Sequence, residues 1–335
     1  MRISGRRYRP TLPTAPVVVA GLMLTTVLSA LTAVVAPGQA TASGTDPRLR
    51  LPFKVNTDSQ AYSISRDKPV FRPIGDQPTA YWLSPEYFPL GTVRRQVSRY
   101  ADRAAAHDRI PLVSLYGIPH RDCGGYSAGG WSPRQYRTWT TRIARGLAGT
   151  HAVAVVEPDA LGLMDNCPGQ THGRLRLVRH AVRALASHGV WAYVDAGHVG
   201  WVPPWRMARR LKAAGVGMAR GYSVNVMSYA STRDSRHYAT AVGRRLESRG
   251  VDGTHYLVGT AVNGNPQKIP TDWCNPDHMR LGAPPRIVAG PRLDRTAWIS
   301  EPGGSAGPCN GGPPAGVFWK KYALMLLGKR DSIFD

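Results

Sequence analysis

Short apolar, β-branched runs recur along the chain at 110–116, 152–157, 190–195, 222–227, 255–260 and 296–299. Between them, apolar positions repeat with the period of a helix at 92–107, 133–147, 173–188, 203–214, 232–248 and 317–327. The second helical stretch opens on Ser132 and Pro133, an N-cap followed by a proline whose missing N–H would have no partner in a first turn anyway. Strand and helix alternate throughout, and a parallel pair of strands needs such a crossover, so the pattern predicts an α/β fold on a parallel sheet, open or closed. A polar, proline-bearing stretch at 43–78 reads as a lead-in segment, which places the main unit at 79–335.

Length and composition bound this picture. At 335 residues, 42% of them hydrophobic, with 36 glycines and 28 prolines, the chain is too long and too apolar for a disordered tail; it should build one large core or at most two. Residues 1–42 read as an export signal: Arg2, Arg6, Arg7 and Arg9 precede an apolar run from about Ala15 to Val35, and Ala40-Thr41-Ala42 offers a small-residue cleavage site. A secreted product starting near Ser43 is expected. The apolar run approaches the roughly 20 residues that span a bilayer, which makes an uncleaved anchor the alternative. Arg6-Arg7 also suggests a twin-arginine route, which the flanking residues fit poorly.

Charge opens another class. The formal net charge is +22, with 36 arginines against 7 lysines, and removal of the leader leaves about +18. A nucleic-acid partner would need such a balance. The basic residues, however, come singly or in pairs such as Arg94-Arg95, Arg209-Arg210 and Arg244-Arg245, at spacings that suit exposed helix faces. A solvated basic surface is the better reading, and no nucleic-acid partner is expected. Four cysteines, Cys123, Cys167, Cys274 and Cys309, favour disulfides in an exported chain, with three pairings possible; no C-x-x-C pair points to zinc.

The chemistry lies in the loops after the apolar runs. Tyr116 leads into Gly117-Ile118-Pro119-His120-Arg121-Asp122-Cys123, the next run into Glu157-Pro158-Asp159, the third into Asp195-Ala196-Gly197-His198. One such aspartate is ordinarily a cap or an Asx turn. Several on the C-terminal edge of one parallel sheet fall where α/β folds place their sites. Paired carboxylates on one cleft suit glycoside hydrolysis, one protonating the leaving oxygen while the other assists an attacking water. Trp82, Tyr116, Trp201 and Trp273 near the same ends could stack on sugar faces. Gly125-Tyr126-Ser127-Ala128-Gly129 matches the G-x-S-x-G elbow of serine esterases, but the strand ends about ten residues too early and the helix starts too late. Ser127 reads better as part of a mobile glycine-rich loop over the site.

These motifs resemble those of the family 6 glycoside hydrolases, inverting endoglucanases and cellobiohydrolases. The similarity is carried, in order, by the stretch from Tyr116 to Gly130, Val156-Glu-Pro-Asp-Ala-Leu161, the stretch from Tyr193 to Trp201, Asn225-Val-Met-Ser-Tyr229, Asn263-Gly-Asn265 and Trp273-Cys-Asn275, and it spans 51–327. The resemblance implies a distorted, TIM-like parallel β/α barrel of about seven strands and a β-1,4-glucan substrate, with no cofactor, no metal and no stable protein partner. It implies Asp159 as general acid, Asp122 as the aspartate that raises the acid's pKa and helps position water, and Tyr116 as a residue pressing on the sugar to be cleaved. Asp195, His198, Trp201, Asn225 and Trp273 would line sugar subsites, as would Trp82 and Ser127. Cys123 would pair with Cys167, and Cys274 with Cys309.

One motif departs. Where the family usually reads W-x-K-P-P-G-E-S-D-G, this chain has Trp298-Ile-Ser-Glu-Pro-Gly-Gly-Ser-Ala-Gly307. The aspartate often proposed as base is Ala306, the lysine and glutamate are Ser300 and Gly304, the arginine expected before Asn263 is Val262, and a further aspartate is Gly259. Losing a carboxylate together with its arginine partner leaves neither charge stranded, which suggests coordinated remodelling. Two functions follow as expectations: a glucanase using Asp122 through water or recruiting Glu301, and a glycan-binding protein with little hydrolysis.

Overall fold

The structure, a computed structural model, describes residues 46–329. The expected export signal at 1–42 lies outside them. Among the described residues, eight strands form one sheet: β1 (Tyr81–Leu83), β2 (Leu112–Leu115), β3 (Val153–Val156), β4 (Trp191–Asp195), β5 (Gly221–Val224), β6 (His255–Gly259), β7 (Arg286–Ile287) and β8 (Leu293–Ala297), in the order β1-β2-β3-β4-β5-β6-β8-β7. β1 to β6 and β8 run parallel; only β7, on the outer edge of β8, is antiparallel. The expected parallel architecture of about seven strands is the one observed. β1 and β7 are too short to carry a period and are absent from the sequence pattern.

The sheet curls back on itself. Ala80 N donates to Trp298 O at 3.0 Å, Thr79 bridges Trp298 in parallel, and Trp82 Nε1 donates to Ile299 O at 2.7 Å, so the chain entering β1 meets the chain leaving β8. A single bridge, rather than a ladder, makes the closure incomplete and the barrel distorted. Alternate residues fill its inside: Leu112, Val153, Val155, Tyr193, Leu257 and Ala297 share one apolar cluster with Phe53 and Ile110. The other set, including Val113, Leu115, Ala154, Val156, Val194 and Val258, packs under the helices. Burial on both faces explains why the strands read as continuous apolar runs.

Among the described residues, eight α-helices accompany the sheet: α1 (Gln60–Asp67), α2 (Arg72–Gly75), α3 (Val93–Ala105), α4 (Pro133–Gly146), α5 (Thr171–Ala186), α6 (Pro204–Ala213), α7 (Thr232–Glu247) and α8 (Lys320–Leu326). Ser132 caps α4 in a reciprocal capping box with Gln135. The stretch at 46–78, polar in sequence, folds onto the barrel. Phe53 pairs with Ile110 and enters the interior, Arg295 Nε from β8 donates to Arg48 O at 2.6 Å, and Ala61, Phe71 and Ile74 pack on Phe318, Ala323 and Leu324. Its apolar residues are too sparse to show a period, and their partners, from Ile110 to Phe318 and Leu324, lie far along the chain.

Candidate active site

Strand register sets the first level of the site. Leu115 pairs with Val156 and Val156 with Val194, so Tyr116, Glu157 and Asp195 emerge together at the C-terminal edge of neighbouring strands. Beyond that edge the backbone turns through left-handed conformations at Asp122 (φ 57°), Glu157 (φ 52°) and Asp159 (φ 67°). Asparagine and aspartate tolerate that region; a glutamate there is unusual and needs compensation. Glu157 has it: its buried carboxylate accepts Gly117 N and Ile118 N, each at 3.1 Å, and so fixes the chain just after Tyr116. Burial pushes its pKa up to about 7, against the lowering by those two amides. Sequence reading assigned this residue no role. Glu157→Ala should leave two buried amides bare, at about 1–3 kcal/mol each, and a denaturant melt will show the loss.

Asp195, fully buried, accepts Asp159 N at 3.0 Å, Gly197 N at 3.1 Å and Ser223 Oγ at 3.4 Å. It is therefore the post on which the Asp159 loop hangs. Burial raises its pKa, and its amide donors oppose the shift. Asp159 keeps some surface open, and its pKa is pushed up to about 8, first by desolvation and then by the negative charges of Asp195 and Asp122. A carboxyl so placed stays protonated at neutral pH and can donate.

Tyr116 is held from two sides. Trp82 meets its ring edge-on at 5.2 Å, and the Arg121 guanidinium lies 4.8 Å from the ring while donating to Tyr116 O at 2.9 Å. Burial, then Asp159 and Asp122, raise the phenol far above its usual range, so it stays neutral. Arg121 also clasps the glycine-rich loop, donating to Ser127 O at 2.6 Å and pairing with Glu86 at 3.1 Å. Asp122 Oδ2 accepts Ser127 N at 2.8 Å, and Arg121 N reaches Gly129 O at 3.0 Å. The glycine-rich loop is thus tied down by the side chains of Arg121 and Asp122 and by the Arg121–Gly129 backbone bond. Ser127 follows β2 at a distance and precedes α4 by several residues, which is not an esterase elbow.

The disulfides pair as the resemblance implies. Cys123–Cys167, with Cα atoms 5.9 Å apart, joins the Asp122 loop to the one that follows Asp159; Cys274–Cys309, at 6.1 Å, joins the Trp273 loop to the Ala306 loop. Buried Arg174 of α5 adds a second tie, donating to His120 O at 2.9 Å and Ala160 O at 3.4 Å. In sequence it is one more basic residue on a helix, and nothing marks it.

The other expected subsite residues are dispersed. Trp201 packs against Gly162 and Gly197, where a side chain of any size would collide with it, and lies 5.2 Å from His198. It lines a cavity of about 540 Å³ with Tyr238, Lys268 and Ile269. A second cavity of about 540 Å³ lies beside the first disulfide, at His120, Arg121 and Gln170; Asp159 lines neither. Trp273 is 59% exposed, with Tyr126 at 6.1 Å, and Tyr126 packs over Gly307, so the Asp122 and Ala306 loops touch. Asn225 is buried and its carboxamide is taken up by Gly259 O at 2.9 Å and by Ala230.

Around Ala306, half-buried, the loop is stitched without charge: Ala306 N donates to Asn275 Oδ1 at 2.8 Å, and Asn275 Nδ2 to Gly307 O at 2.8 Å. Gly259 is pressed against Asn225, leaving no room for an aspartate. Glu301 accepts Ala61 N at 3.1 Å and a bond from Ser59, which places its carboxylate on the N-terminus of α1. Burial raises its pKa.

Residues 53–330 match the family model described as glycosyl hydrolases family 6. The chain belongs to that family. Among its relatives, Endoglucanase A of Cellulomonas fimi is 34% identical over 280 residues, 82% of this chain and 60% of that protein. The chain thus spans less than two thirds of that relative. Endoglucanase 1 of Streptomyces halstedii is 36% identical over 262 residues, 76% of this chain and 79% of its own length. In three dimensions the chain is similar to the endoglucanase Cel6 from Mycobacterium tuberculosis, solved with methyl-cellobiosyl-4-deoxy-4-thio-β-D-cellobioside: TM-score 0.79, 39% identity, covering 85% of this chain and 99% of that one.

Proposed function

We propose that the chain is a secreted glycoside hydrolase that cleaves β-1,4-glucan with inversion. The observation that carries this reading is the partly buried, proton-retaining Asp159, whose amide is held by Asp195 and whose carboxyl lies near the charges of Asp195 and Asp122 at the strand ends. Asp159 gives its proton to the glycosidic oxygen as that bond breaks. Water attacks the anomeric carbon from the opposite face, and its proton passes to Asp122. Tyr116, wedged by Trp82, presses on the sugar ring and favours its distortion. Trp201, His198 and Trp273 supply the flanking subsites. The endoglucanase relatives and the cellobioside-derived ligand of the similar structure support a cellulose-type glucan. Export rests on the leader at 1–42; among the described residues, no helix is long and apolar enough to cross a membrane.

Glu301 is the rival for the base, and its position at α1 argues against it. Glu301→Gln should leave kcat within about two-fold and weaken the cap by about 1 kcal/mol; a heavy loss of kcat would install Glu301 as base. Reducing-sugar release from a soluble β-1,4-glucan, with NMR of the first anomer formed, tests the whole reading: the expected product is the α-anomer. The uncharged, stitched loop at Ala306 favours a second reading, a glycan-binding protein of the same fold. Binding of cello-oligosaccharides with no sugar release by the wild type would select it.

A further inference from the structure

Helices α4 and α5 pack side by side on the outside of the sheet, burying Tyr136, Trp139 and Ile143 from one and Leu177, Val178 and Val182 from the other. What they turn outward is cationic: Arg134, Arg137 and Arg145 on α4, and Arg176, Arg179 and Arg183 on α5, are all exposed. Neither helix contains an aspartate or a glutamate. Among the described residues, none of the six forms an ion pair. A merely solvated helix face usually interleaves the two signs, since opposite charges three or four residues apart attract and like charges repel. α7 does so, with Asp234 and Glu247 among its arginines. Arg179 donates to Ala213 O at 3.1 Å at the end of α6, and Arg137 to Pro133 O at 3.3 Å, but neither meets a counter-charge; a positive strip without acidic partners is not what helix stability alone would select.

We propose that the α4–α5 face docks on an anionic polysaccharide, one with carboxylate or phosphate groups along its length, and holds the protein there while the ends of the β-strands stay free. All six cations are arginines, whose planar fork matches carboxylate and phosphate oxygens two at a time, where lysine would offer a point charge. With 14 and 16 residues, the two helices form a strip that at 1.5 Å per residue is roughly 20 Å long, enough for several charged sugars. No large apolar side chain on either helix is exposed. The face therefore offers neither the aromatic platforms on which nucleic-acid bases stack nor the anchors by which a helix enters a membrane. The docking does not depend on which glucan is cleaved, or on whether one is.

The test uses the full chain and polygalacturonate as the probe. The wild type should bind it, with affinity falling as salt rises because counterions are released. The Arg137→Gln/Arg176→Gln/Arg183→Gln variant should bind at least about ten-fold more weakly, while sugar release from a neutral soluble glucan is unchanged. Glutamine keeps helix propensity; should this variant still misfold, Arg134→Gln/Arg145→Gln gives the same readout with a smaller drop. The α7 variant Arg244→Gln/Arg245→Gln should bind within about two-fold of the wild type. Equal affinity of the triple variant and the wild type would overturn the proposal, as would an equal loss in the α7 variant, which would point to net charge alone. Tighter binding to duplex DNA than to polygalacturonate would replace the polysaccharide by nucleic acid. Retained polygalacturonate binding with no glucan hydrolysis would sink the proposed activity and leave this proposal standing.

Discussion

Asp159→Asn is expected to cut kcat on an unactivated β-glucan by roughly 10²–10⁴, the usual share of general acid–base catalysis, with little change in KM. On a substrate whose leaving group departs without a proton the loss should shrink, which separates a missing acid from a collapsed site. Because Asp159 must be protonated to act and its pKa is pushed up to about 8, wild-type activity should hold through neutrality and fall above about pH 8. Stability also falls with rising pH, but over a lower range. A carboxyl whose folded pKa is raised binds its proton more tightly folded than unfolded, so stability is highest below the unfolded value of about 4. It declines as pH rises towards the folded value of about 8. Asp159→Asn removes that penalty, and its Tm should exceed the wild type's at pH 8 but not at pH 4. Unchanged turnover in the variant would take Asp159 out of the reaction.

Asp122→Ala should also abolish most hydrolysis, by roughly 10² or more if Asp122 accepts the water's proton. Loss of the Ser127 amide's partner alone could loosen the loop, so a second readout is needed. The Asp122 charge helps to raise the Asp159 pKa, hence its removal should shift the alkaline limb of the pH profile downward. Disorder of the loop without loss of that charge, as in Arg121→Gln, should lower the rate and leave the limb in place. Ala306→Asp should restore little. Val262 offers no cation, and the loop at 306 is already closed by Asn275. A large gain from Ala306→Asp would show an ordinary site with one residue missing.

Much of this protein is legible in its sequence because much of it is local. A buried parallel strand records itself as an apolar run, a covering helix as a 3.6-residue period, and a strand-end aspartate as a residue just past the run. The alternation of elements and the positions of Tyr116, Asp122, Asp159 and Asp195 follow from that. What sequence could not supply is which groups meet across the curl of the sheet. The carboxylate of Asp195 holds the amide of Asp159 from 36 residues away, and Glu301 ends on α1 across 240 residues rather than in the site. Glu157 and Arg174 carry no local mark, because a buried charge is distinguished only by the distant carbonyls and amides that meet it. Periodicity tells which face of an element is buried but not against what. The partners, and with them the proton held on Asp159, were decided only when the barrel brought the strand ends together and excluded water from between them.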